Sequence, residues 1–166
     1  MVQEQGNTVG SQSQVDLAYI AGFLDGDGSL MIQLKRRSES GLGTRRVMLT
    51  ICFYQDSRHE KPLLWIKKIL GIGYISHRND GMTELRINGH ERVRNILKSL
   101  LPFLKFKKKQ AKMIIKSADL LLSNDRDNVC TKTKLVNYIL IVQGENYATR
   151  AKRSEEELRI LLGLTP

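Results

Sequence analysis

The chain has 166 residues, 41% of them hydrophobic, which is enough for one globular domain with a hydrophobic core. Lysine and arginine number 27 against 17 acidic residues, so the formal net charge of +10 favours a polyanionic partner, with nucleic acid ahead of an anionic membrane surface. No apolar run is long enough to cross a bilayer, the first residues do not resemble a signal peptide, and two cysteines are too few for a disulfide framework or a zinc site, so we expect a soluble intracellular protein without membrane association.

The first predicted element is a helix that follows a polar N-terminal stretch. Residues 1–11 show no hydrophobic periodicity, which predicts a flexible tail. Ser13 followed three positions later by Asp16 is a capping pattern, so the helix should begin there. We expect the helix to run to about Asp25, where two glycines break it: Gly26 and Gly28.

Two aspartates separated by glycine stand at the predicted end of this helix. The string D-G-D-G is common in solvated turns, which is the plain alternative to a functional site. A calcium loop beginning at Asp25 is excluded, because its sixth and twelfth positions hold Leu30 and Arg36 instead of glycine and glutamate. Ala18 and Gly22 are four residues apart on one side of the helix, where another backbone can approach closely. The helix therefore brings both carboxylates to a packed interface.

Alternating apolar and polar residues predict a long β-hairpin after the helix. On its first strand, Leu30, Ile32 and Leu34 form one face, and the opposite face carries Met31, Gln33, Lys35 and Arg37. The second strand follows a glycine-containing loop at residues 38–44 and turns Arg46 and Met48 outward. Such a polar face is usually solvated surface. A cluster of basic residues favours a binding surface instead: Lys35, Arg36, Arg37, Arg45 and Arg46.

A second helix and a second hairpin are predicted next. A short amphipathic helix should end before Gly71. Residues 79–81, Asn-Asp-Gly, are typical of a hairpin turn, so strands are expected on both sides of them. Glu84 and Arg86 should face outward on the second of these strands. The chain thus repeats the order helix, strand, strand.

The remainder of the chain is predicted to be helical. A helix ends at Pro102, and a basic run from Lys105 to Lys109 leads into the next amphipathic helix, which reaches Leu122. Ser154 and Glu157 form a capping pair for a last short helix. We divide the chain into a flexible tail (1–11), a core (12–122) and a C-terminal helical extension of the same domain (123–166).

The stretch I-A-G-F-L-D-G-D-G, residues 20–28, resembles the signature of the LAGLIDADG homing endonucleases. It matches that signature at Ala21, Gly22, Asp25, Asp27 and Gly28. The resemblance covers residues 18–110 and agrees with the order of elements predicted from the hydrophobic pattern. It implies an α+β fold of order α-β-β-α-β-β-α with a saddle-shaped antiparallel sheet, to which this chain adds C-terminal helices.

The resemblance further implies a site-specific double-strand DNA endonuclease. In this family the motif helices of two halves pack side by side, and the sheets lie in the DNA major groove. Only one copy of the motif is present, so the chain resembles the homodimeric, intron-encoded branch that cuts near-palindromic sites in ribosomal RNA genes. The expected partners are a second copy and duplex DNA, and the expected dimer contacts are Ala18, Ala21, Gly22 and Asp25.

The resemblance gives the two aspartates different roles. Asp27 matches the metal-binding carboxylate of the family, assisted by the carbonyl of Gly26, whereas Asp25 is expected to be a structural or capping group. Mg²⁺ is the expected metal, with Mn²⁺ or Ca²⁺ able to replace it for binding. Phosphodiester hydrolysis needs such an ion because negative charge develops on the entering and leaving oxygens.

Three further side chains are candidates for catalysis by the same resemblance. Gln55 matches a polar residue that orients water, and Lys107 matches a lysine that reaches the metal-bound water or the phosphate. The family's arginine position is occupied by His59, with Arg58 beside it, so either could take the basic role.

The outward strand residues are the predicted DNA readers, since their side chains can pair with guanine, adenine or cytosine. They are Gln33, Lys35, Arg37, Arg46, Met48, Ser76, Arg78, Glu84 and Arg86. Two other functions stay open: a maturase that binds intron RNA, and a DNA-binding regulator without catalysis. The joint presence of Asp27, Gln55 and Lys107 argues against the regulator.

Overall fold

The structure is a computed structural model that describes residues 13–36, 45–146 and 152–164. The predicted flexible tail, the loop at 38–44 and Arg37 lie outside these ranges. The described elements are α1 (Gln14–Asp27), β1 (Gly28–Arg36), β2 (Arg45–Asp56), a 3₁₀ turn (Ser57–His59), α2 (Lys61–Leu70), β3 (Tyr74–His77), β4 (Met82–Asn88), α3 (His90–Leu100), α4 (Lys108–Leu122), α5 (Val129–Glu145) and α6 (Glu155–Leu161). The predicted order α-β-β-α-β-β-α, followed by further helices, is confirmed.

The four strands form one open antiparallel sheet in the order β1-β2-β4-β3. The first hairpin is as long as predicted, with Gly28 opposite Phe53 at one end and Arg36 opposite Arg45 at the other. Because side chains alternate between the two faces of a strand, one face is apolar and lies under the helices. Its fully buried members are Leu30, Leu49, Ile51, Phe53, Leu85 and Ile87.

Helix α1 begins as predicted but ends later. The Oγ of Ser13 accepts a hydrogen bond from the backbone N–H of Asp16 at 3.1 Å, which confirms the cap. The expectation that Gly26 breaks the helix is wrong, because the helix continues through Asp27. Ile20, Ala21 and Leu24 bury one face of α1, and this packing outweighs the low helix propensity of one glycine.

Gly28 is the residue at which the helix turns into a strand. A Cβ there would lie 2.8 Å from the Cα and 2.7 Å from the carbonyl oxygen of Leu24. Backbone atoms at such distances cannot move aside as a flexible side chain would. The direct passage from α1 into β1 therefore requires glycine at this position.

Replacing Gly28 by alanine is expected to lower the free energy of unfolding by about 1–3 kcal/mol, as overpacking does in a tight interior. Gly26→Ala is the matched control, because a Cβ at Gly26 meets no atom within 4 Å. That substitution should instead stabilise α1 by roughly 0.5–1 kcal/mol. Urea denaturation of both variants measures the difference, and equal stabilities would contradict the assigned role of Gly28.

Glycines also close the other predicted turns. Gly71 ends α2 with a φ of 68°, and Gly81 has a φ of 79° in the hairpin turn between β3 and β4. The backbone N–H of Arg78 donates to the carbonyl of Met82 at 2.8 Å and closes that hairpin. Both hairpins and the helix before Gly71 are thus confirmed.

The C-terminal helices pack onto the same core as the sheet. Helix α5 contacts α4 and β1, and α6 contacts α5. Val136, Ile139 and Leu158 belong to the same buried cluster as the residues of α1. The predicted capping box of α6 is present, with both hydrogen bonds between Ser154 and Glu157. Treating residues 123–166 as an extension of the core domain remains our interpretation, and this shared core supports it.

In the part of the chain that the structure describes, no helix has the length and apolar character needed to cross a membrane.

Candidate functional site

Asp25 binds the loop that precedes α4. Its Oδ2 accepts hydrogen bonds from the backbone N–H groups of Lys105 at 2.6 Å and Phe106 at 3.2 Å. Its Oδ1 accepts from the backbone N–H of Lys107 at 2.8 Å. Three backbone donors before the start of a helix are thereby satisfied by one carboxylate. This geometry agrees with the structural role predicted for Asp25, whose carboxylate bonds within its own chain; its contact with a second copy stays a prediction.

Asp27 lies in a different environment although it is only two residues away. Successive helical residues are rotated by about 100°, so the two aspartates point to opposite sides of α1. The Asp27 side chain is exposed, and no described residue forms a hydrogen bond or an ion pair with its carboxylate. The carbonyl of Gly26 is in the last helical turn, where the usual donor four residues later is missing. Carboxylate and carbonyl oxygens are the ligands that Mg²⁺ prefers.

Lys107 is fixed at the same end of α1. Its Nζ donates a hydrogen bond to the backbone carbonyl of Asp25 at 2.6 Å, in addition to the bond made by its backbone N–H. The side chain is half-buried, and this burial lowers the pKa of the ammonium group, while the charges of Asp25 and Asp27 act in the opposite direction. The structure therefore brings Lys107 within electrostatic range of Asp27, as a shared site requires.

Gln55 lies near this site at the end of β2. Gly28 pairs with Phe53, so Gln55 stands two residues beyond the point where α1 passes into the sheet. Its Oε1 accepts a hydrogen bond from the backbone N–H of Asp56 at 2.9 Å. No hydrogen bond within the described ranges joins Gln55 to Asp27 or Lys107.

The 3₁₀ turn after β2 contains both candidates for the basic role, Arg58 and His59, and their side chains differ in their partners. The Arg58 guanidinium binds both carboxylate oxygens of Asp56, at 3.0 Å from Nε and 2.8 Å from NH2. This pairing holds the pKa of Asp56 well below its usual range, and it compensates the charge of Arg58. His59 is exposed, and among the described residues none forms a hydrogen bond with its ring. His59 is therefore the freer of the two side chains.

The register places the predicted DNA readers that lie on described strands on one face of the sheet, opposite the apolar face, whereas Arg78 follows the end of β3. Gln33 is opposite Met48, Lys35 is opposite Arg46, and Ser76 is opposite Glu84. Lys35, Arg46 and Arg78 are exposed, and Gln33, Met48, Ser76 and Arg86 are half-buried. Of the two other predicted readers, Arg37 lies outside the described residues and Glu84 is buried.

Glu84 differs from the other members of this face, because only 8% of its side chain is exposed. One of its carboxylate oxygens accepts hydrogen bonds from Nε of Arg86 and, at 3.7 Å, from Sγ of Cys52. Glu84 thus lies on the outer face as predicted, but its carboxylate is buried and paired, and its reading of DNA stays a prediction. Its position on a central strand, between β2 and β3, accounts for this burial.

Sequence reasoning missed two members of this polar layer. Cys52 is fully buried, and burial raises the pKa of its thiol to about 11. Burial also raises the pKa of Tyr54, which is next to Glu84 across the strands. The hydrophobic pattern places both residues on the outer face, but only the strand order reveals that they lie at its centre.

The exposed side of α1 carries the small residues predicted for a dimer contact. Ala18 and Gly22 are exposed, and a Cβ built at Gly22 meets no atom within 4 Å. Ala21 is wrongly assigned to this contact, because it is fully buried in the core of its own chain. It shares the inward face of the helix with Ile20 and Leu24, so it cannot reach a second copy.

An apolar groove of about 460 Å³ flanks this exposed side of α1. Its apolar lining comes from α1 and from the start of α2: Val15, Tyr19, Pro62 and Trp65. Val15 is 78% exposed, and the ring of Tyr19 packs edge-on against Trp65 at 5.3 Å. Sequence reasoning missed this groove, because its two walls are distant in sequence.

Within the described ranges no three His, Cys, Asp or Glu side chains are close enough together to hold a metal ion. At the end of α1, each chain offers the single free carboxylate of Asp27. A divalent ion there would need further oxygen ligands from outside the chain.

Comparison with known proteins places this geometry in context. The sequence model of the family described as "LAGLIDADG endonuclease" matches residues 20–118. The chain is 37% identical over 102 residues to DNA endonuclease I-CvuI of Chlorella vulgaris, which covers 61% of this chain and 63% of that protein. It is 33% identical over 100 residues to DNA endonuclease I-CreI of Chlamydomonas reinhardtii, which covers 60% of each. The match thus spans about three fifths of the length of both relatives.

A solved structure extends this similarity to the fold. The crystal structure of I-CvuI in complex with the I-CreI target, in the presence of Mg and with the DNA not cleaved, superposes with a TM-score of 0.76 at 31% identity. The superposition covers 90% of this chain and 94% of that one. The structural similarity therefore covers a larger share of the chain than the sequence match to the relatives does.

Proposed function

This chain belongs to the LAGLIDADG endonuclease family, and on that basis we propose that it is a site-specific double-strand DNA endonuclease of the homing type, acting as a homodimer with a divalent metal ion. The observation that carries the proposal is the division between the two motif aspartates. Asp25 uses both oxygens to hold the loop before α4, whereas Asp27 leaves its carboxylate free and exposed beside Lys107. A protein that only binds DNA gains nothing from a free carboxylate near phosphates, because the two charges repel.

The residues at the end of α1 fit a divalent cation. Asp27 would hold it through its free carboxylate, and Gly26 through a carbonyl without a helical partner. When bound, Mg²⁺ supplies stabilisation of the negative charge on the entering and leaving oxygens of phosphodiester hydrolysis. Mn²⁺ or Ca²⁺ would serve for binding. The remaining ligands come from DNA phosphates and a second copy of the chain.

The neighbouring side chains have distinct tasks in this proposal. Lys107 presents its ammonium group, anchored by the carbonyl of Asp25, to the scissile phosphate or to the attacking water. Gln55 orients that water through its amide. His59 provides the basic group, because the charge of Arg58 is compensated by Asp56. A half-buried lysine releases its proton more readily than an exposed one, which suits proton transfer at this position.

A double-strand cut needs two such sites, and two copies of the chain supply them. The exposed small residues Ala18 and Gly22 allow the two α1 helices to approach closely. The apolar groove beside them and Phe106, which is 84% exposed, offer further apolar surface to the second copy. The basic outer face of each sheet then meets one half of a near-palindromic duplex, and DNA reading falls to the exposed and half-buried side chains of that face.

The relatives' names support DNA cleavage over the other two functions, since both are called DNA endonucleases. Neither relative's name supports intron RNA as a partner. A catalytically silent regulator is disfavoured by the free carboxylate of Asp27.

A cleavage assay tests the proposal. The protein is incubated with a plasmid library of randomised targets and with a duplex carrying the I-CreI target, in Mg²⁺, in Mn²⁺ and in excess chelator. We expect double-strand cuts at a defined sequence with either ion, and a loss of cleavage of at least about a thousandfold in chelator, because the reaction depends on the cation.

Two results count against this proposal. Tight binding of a duplex that is never cut in Mg²⁺ or Mn²⁺ would leave a DNA-binding regulator. Preference for a folded intron RNA over every duplex would leave a maturase.

A further inference from the structure

Arg86 occupies the middle of the outer sheet face. It lies on the central strand β4, opposite Cys52 on β2 and opposite Tyr74 on β3. Cys52 in turn is opposite Ser29 on β1, so one row of side chains crosses all four strands through Arg86. Arg86 is therefore held between neighbours on both sides, unlike a side chain at a sheet edge.

The guanidinium of Arg86 is held from one side only. Its Nε donates to Oε1 of Glu84, and the thiol of Cys52 donates to the same oxygen at 3.7 Å. With 8% of the Glu84 side chain exposed, this carboxylate would be costly to bury without a partner. Glu84 and Arg86 therefore form a fixed pair whose geometry is set before any ligand arrives.

The other side of the guanidinium is available. No described residue forms a hydrogen bond with NH1 or NH2 of Arg86, and 21% of the side chain is exposed on the outer face. Two adjacent N–H donors in one plane match the O6 and N7 acceptors of guanine in the major groove. A phosphate contact needs only a positive charge and no such fixed plane.

Two other arginines among the predicted DNA readers are arranged differently. Arg78 is bonded through NH2 to Asp80 in the hairpin turn, with 49% of its side chain exposed. Arg46 is exposed, and within the described residues no hydrogen bond orients it. Among these three arginines, Arg86 is thus the one that is fixed through Nε while no hydrogen bond within the described residues occupies its terminal N–H groups.

We propose that Arg86 reads one guanine in each half of the DNA target through NH1 and NH2, and that Glu84 is a positioning residue that holds Nε and contacts no base itself. The inference rests on the proposed function and specifies one of its sequence contacts. It also assigns Glu84 a role that does not require it to leave its buried pair.

The test compares the base preferences of wild type, Arg86→Lys and Glu84→Gln by binding a library of targets varied one base pair at a time. Lysine keeps the charge of Arg86 but has neither the planar fork nor an Nε for Glu84. We expect Arg86→Lys to reduce the preference for guanine at one base pair of each half-site by about tenfold to a hundredfold, with little change in the salt dependence of binding. Glu84→Gln should weaken the preference at the same base pair.

Arg126→Lys is the matched control. Arg126 also donates through Nε to a carboxylate, that of Asp127 at 3.3 Å, but in the connection between α4 and α5 and not on the sheet. Its base preferences should equal those of wild type. Circular dichroism of each variant verifies folding. If Glu84→Gln does not fold, the base preferences of Arg86→Lys by themselves test whether Arg86 reads guanine.

Three results separate the possible failures. In the first, Arg86→Lys or Arg86→Ala weakens binding evenly across all targets, and Arg86→Ala lowers by about one the slope of log binding constant against log salt concentration. Arg86 then contacts phosphate, and the inference fails. If Glu84→Gln changes the preference at a different base pair from Arg86→Lys, Glu84 reads a base itself, and its positioning role is refuted. If wild type binds no duplex, the proposed function itself fails.

Discussion

Replacement of Asp27 by asparagine is expected to reduce double-strand cleavage by about a thousandfold or more, because a neutral amide oxygen is a much weaker ligand for Mg²⁺ than a carboxylate and several kcal/mol of charge stabilisation are lost. Binding of the target should be unchanged or slightly tighter, since a negative charge near the phosphates is removed. The free energy of unfolding should also stay the same, because no described residue bonds to the exposed Asp27 carboxylate. Single-turnover cleavage, filter binding and urea denaturation measure these three quantities.

Two further variants make the result specific. Asp127→Asn changes the net charge by the same amount at an exposed position in the connection between α4 and α5, and it should cut at the wild-type rate. Asp25→Asn removes an acceptor for the backbone N–H groups of Lys105, Phe106 and Lys107, so it should lower stability by about 1–3 kcal/mol as well as activity. Wild-type cleavage by Asp27→Asn, or an equal loss of stability in Asp25→Asn and Asp27→Asn, would contradict the division of roles.

The different roles of Asp25 and Asp27 illustrate what sequence can and cannot predict. The signature marks both residues, and helical geometry places them on opposite sides of α1. What the sequence alone cannot provide is the partner of Asp25, because the donors are some 80 residues further along the chain. The structural role of Asp25 was assigned by resemblance, and the contact that explains it emerges only from the fold.

The outer sheet face shows the same limit. Alternation places Glu84, Arg86 and Cys52 on that face from sequence alone, because the period of a strand is two. It does not tell which strands are central, so it cannot distinguish a buried Glu84 from an exposed one. The strand order β1-β2-β4-β3 determines this burial, and it depends on a pairing between β2 and β4 that is distant in sequence.

Local propensity was outweighed by packing at Gly26. A glycine between two aspartates predicts a break, yet the helix continues because Leu24 is anchored in the core and Asp25 is held by three backbone donors. The tertiary contacts of these two preceding residues offset a propensity cost of roughly 1 kcal/mol. A Cβ at Gly26 meets no atom within 4 Å, so packing among the described residues does not require glycine at this position.

Gly22→Leu is expected to abolish the homodimer while leaving the folded chain intact. Within one chain a Cβ at Gly22 meets no atom within 4 Å, and leucine favours the helix by roughly 0.6–1 kcal/mol over glycine, so the monomer should be at least as stable. In a symmetric dimer the added side chain enters the α1 contact twice, and overpacking of this kind costs about 1–3 kcal/mol at each copy. At the upper end of this energy cost, the dissociation constant of the dimer should therefore rise by several powers of ten. Double-strand cleavage should be lost with it, because at the end of α1 each chain contributes a single free carboxylate, that of Asp27.

Gly144→Leu is the matched control for this substitution. Gly144 also lies in a helix and is exposed, and a Cβ built there meets no atom within 4 Å, but it is on α5 and not on α1. Sedimentation velocity of both variants, free and with target DNA, should find Gly144→Leu dimeric on the target and Gly22→Leu monomeric, while thermal melting finds both folded. A dimeric Gly22→Leu with wild-type cleavage would exclude the α1 face from the contact, whereas loss of the dimer in both variants would indicate a general effect of leucine on the surface. If the outcome is as expected, the free Asp27 carboxylate at the end of α1 completes a cutting site only when a second α1 lies beside it.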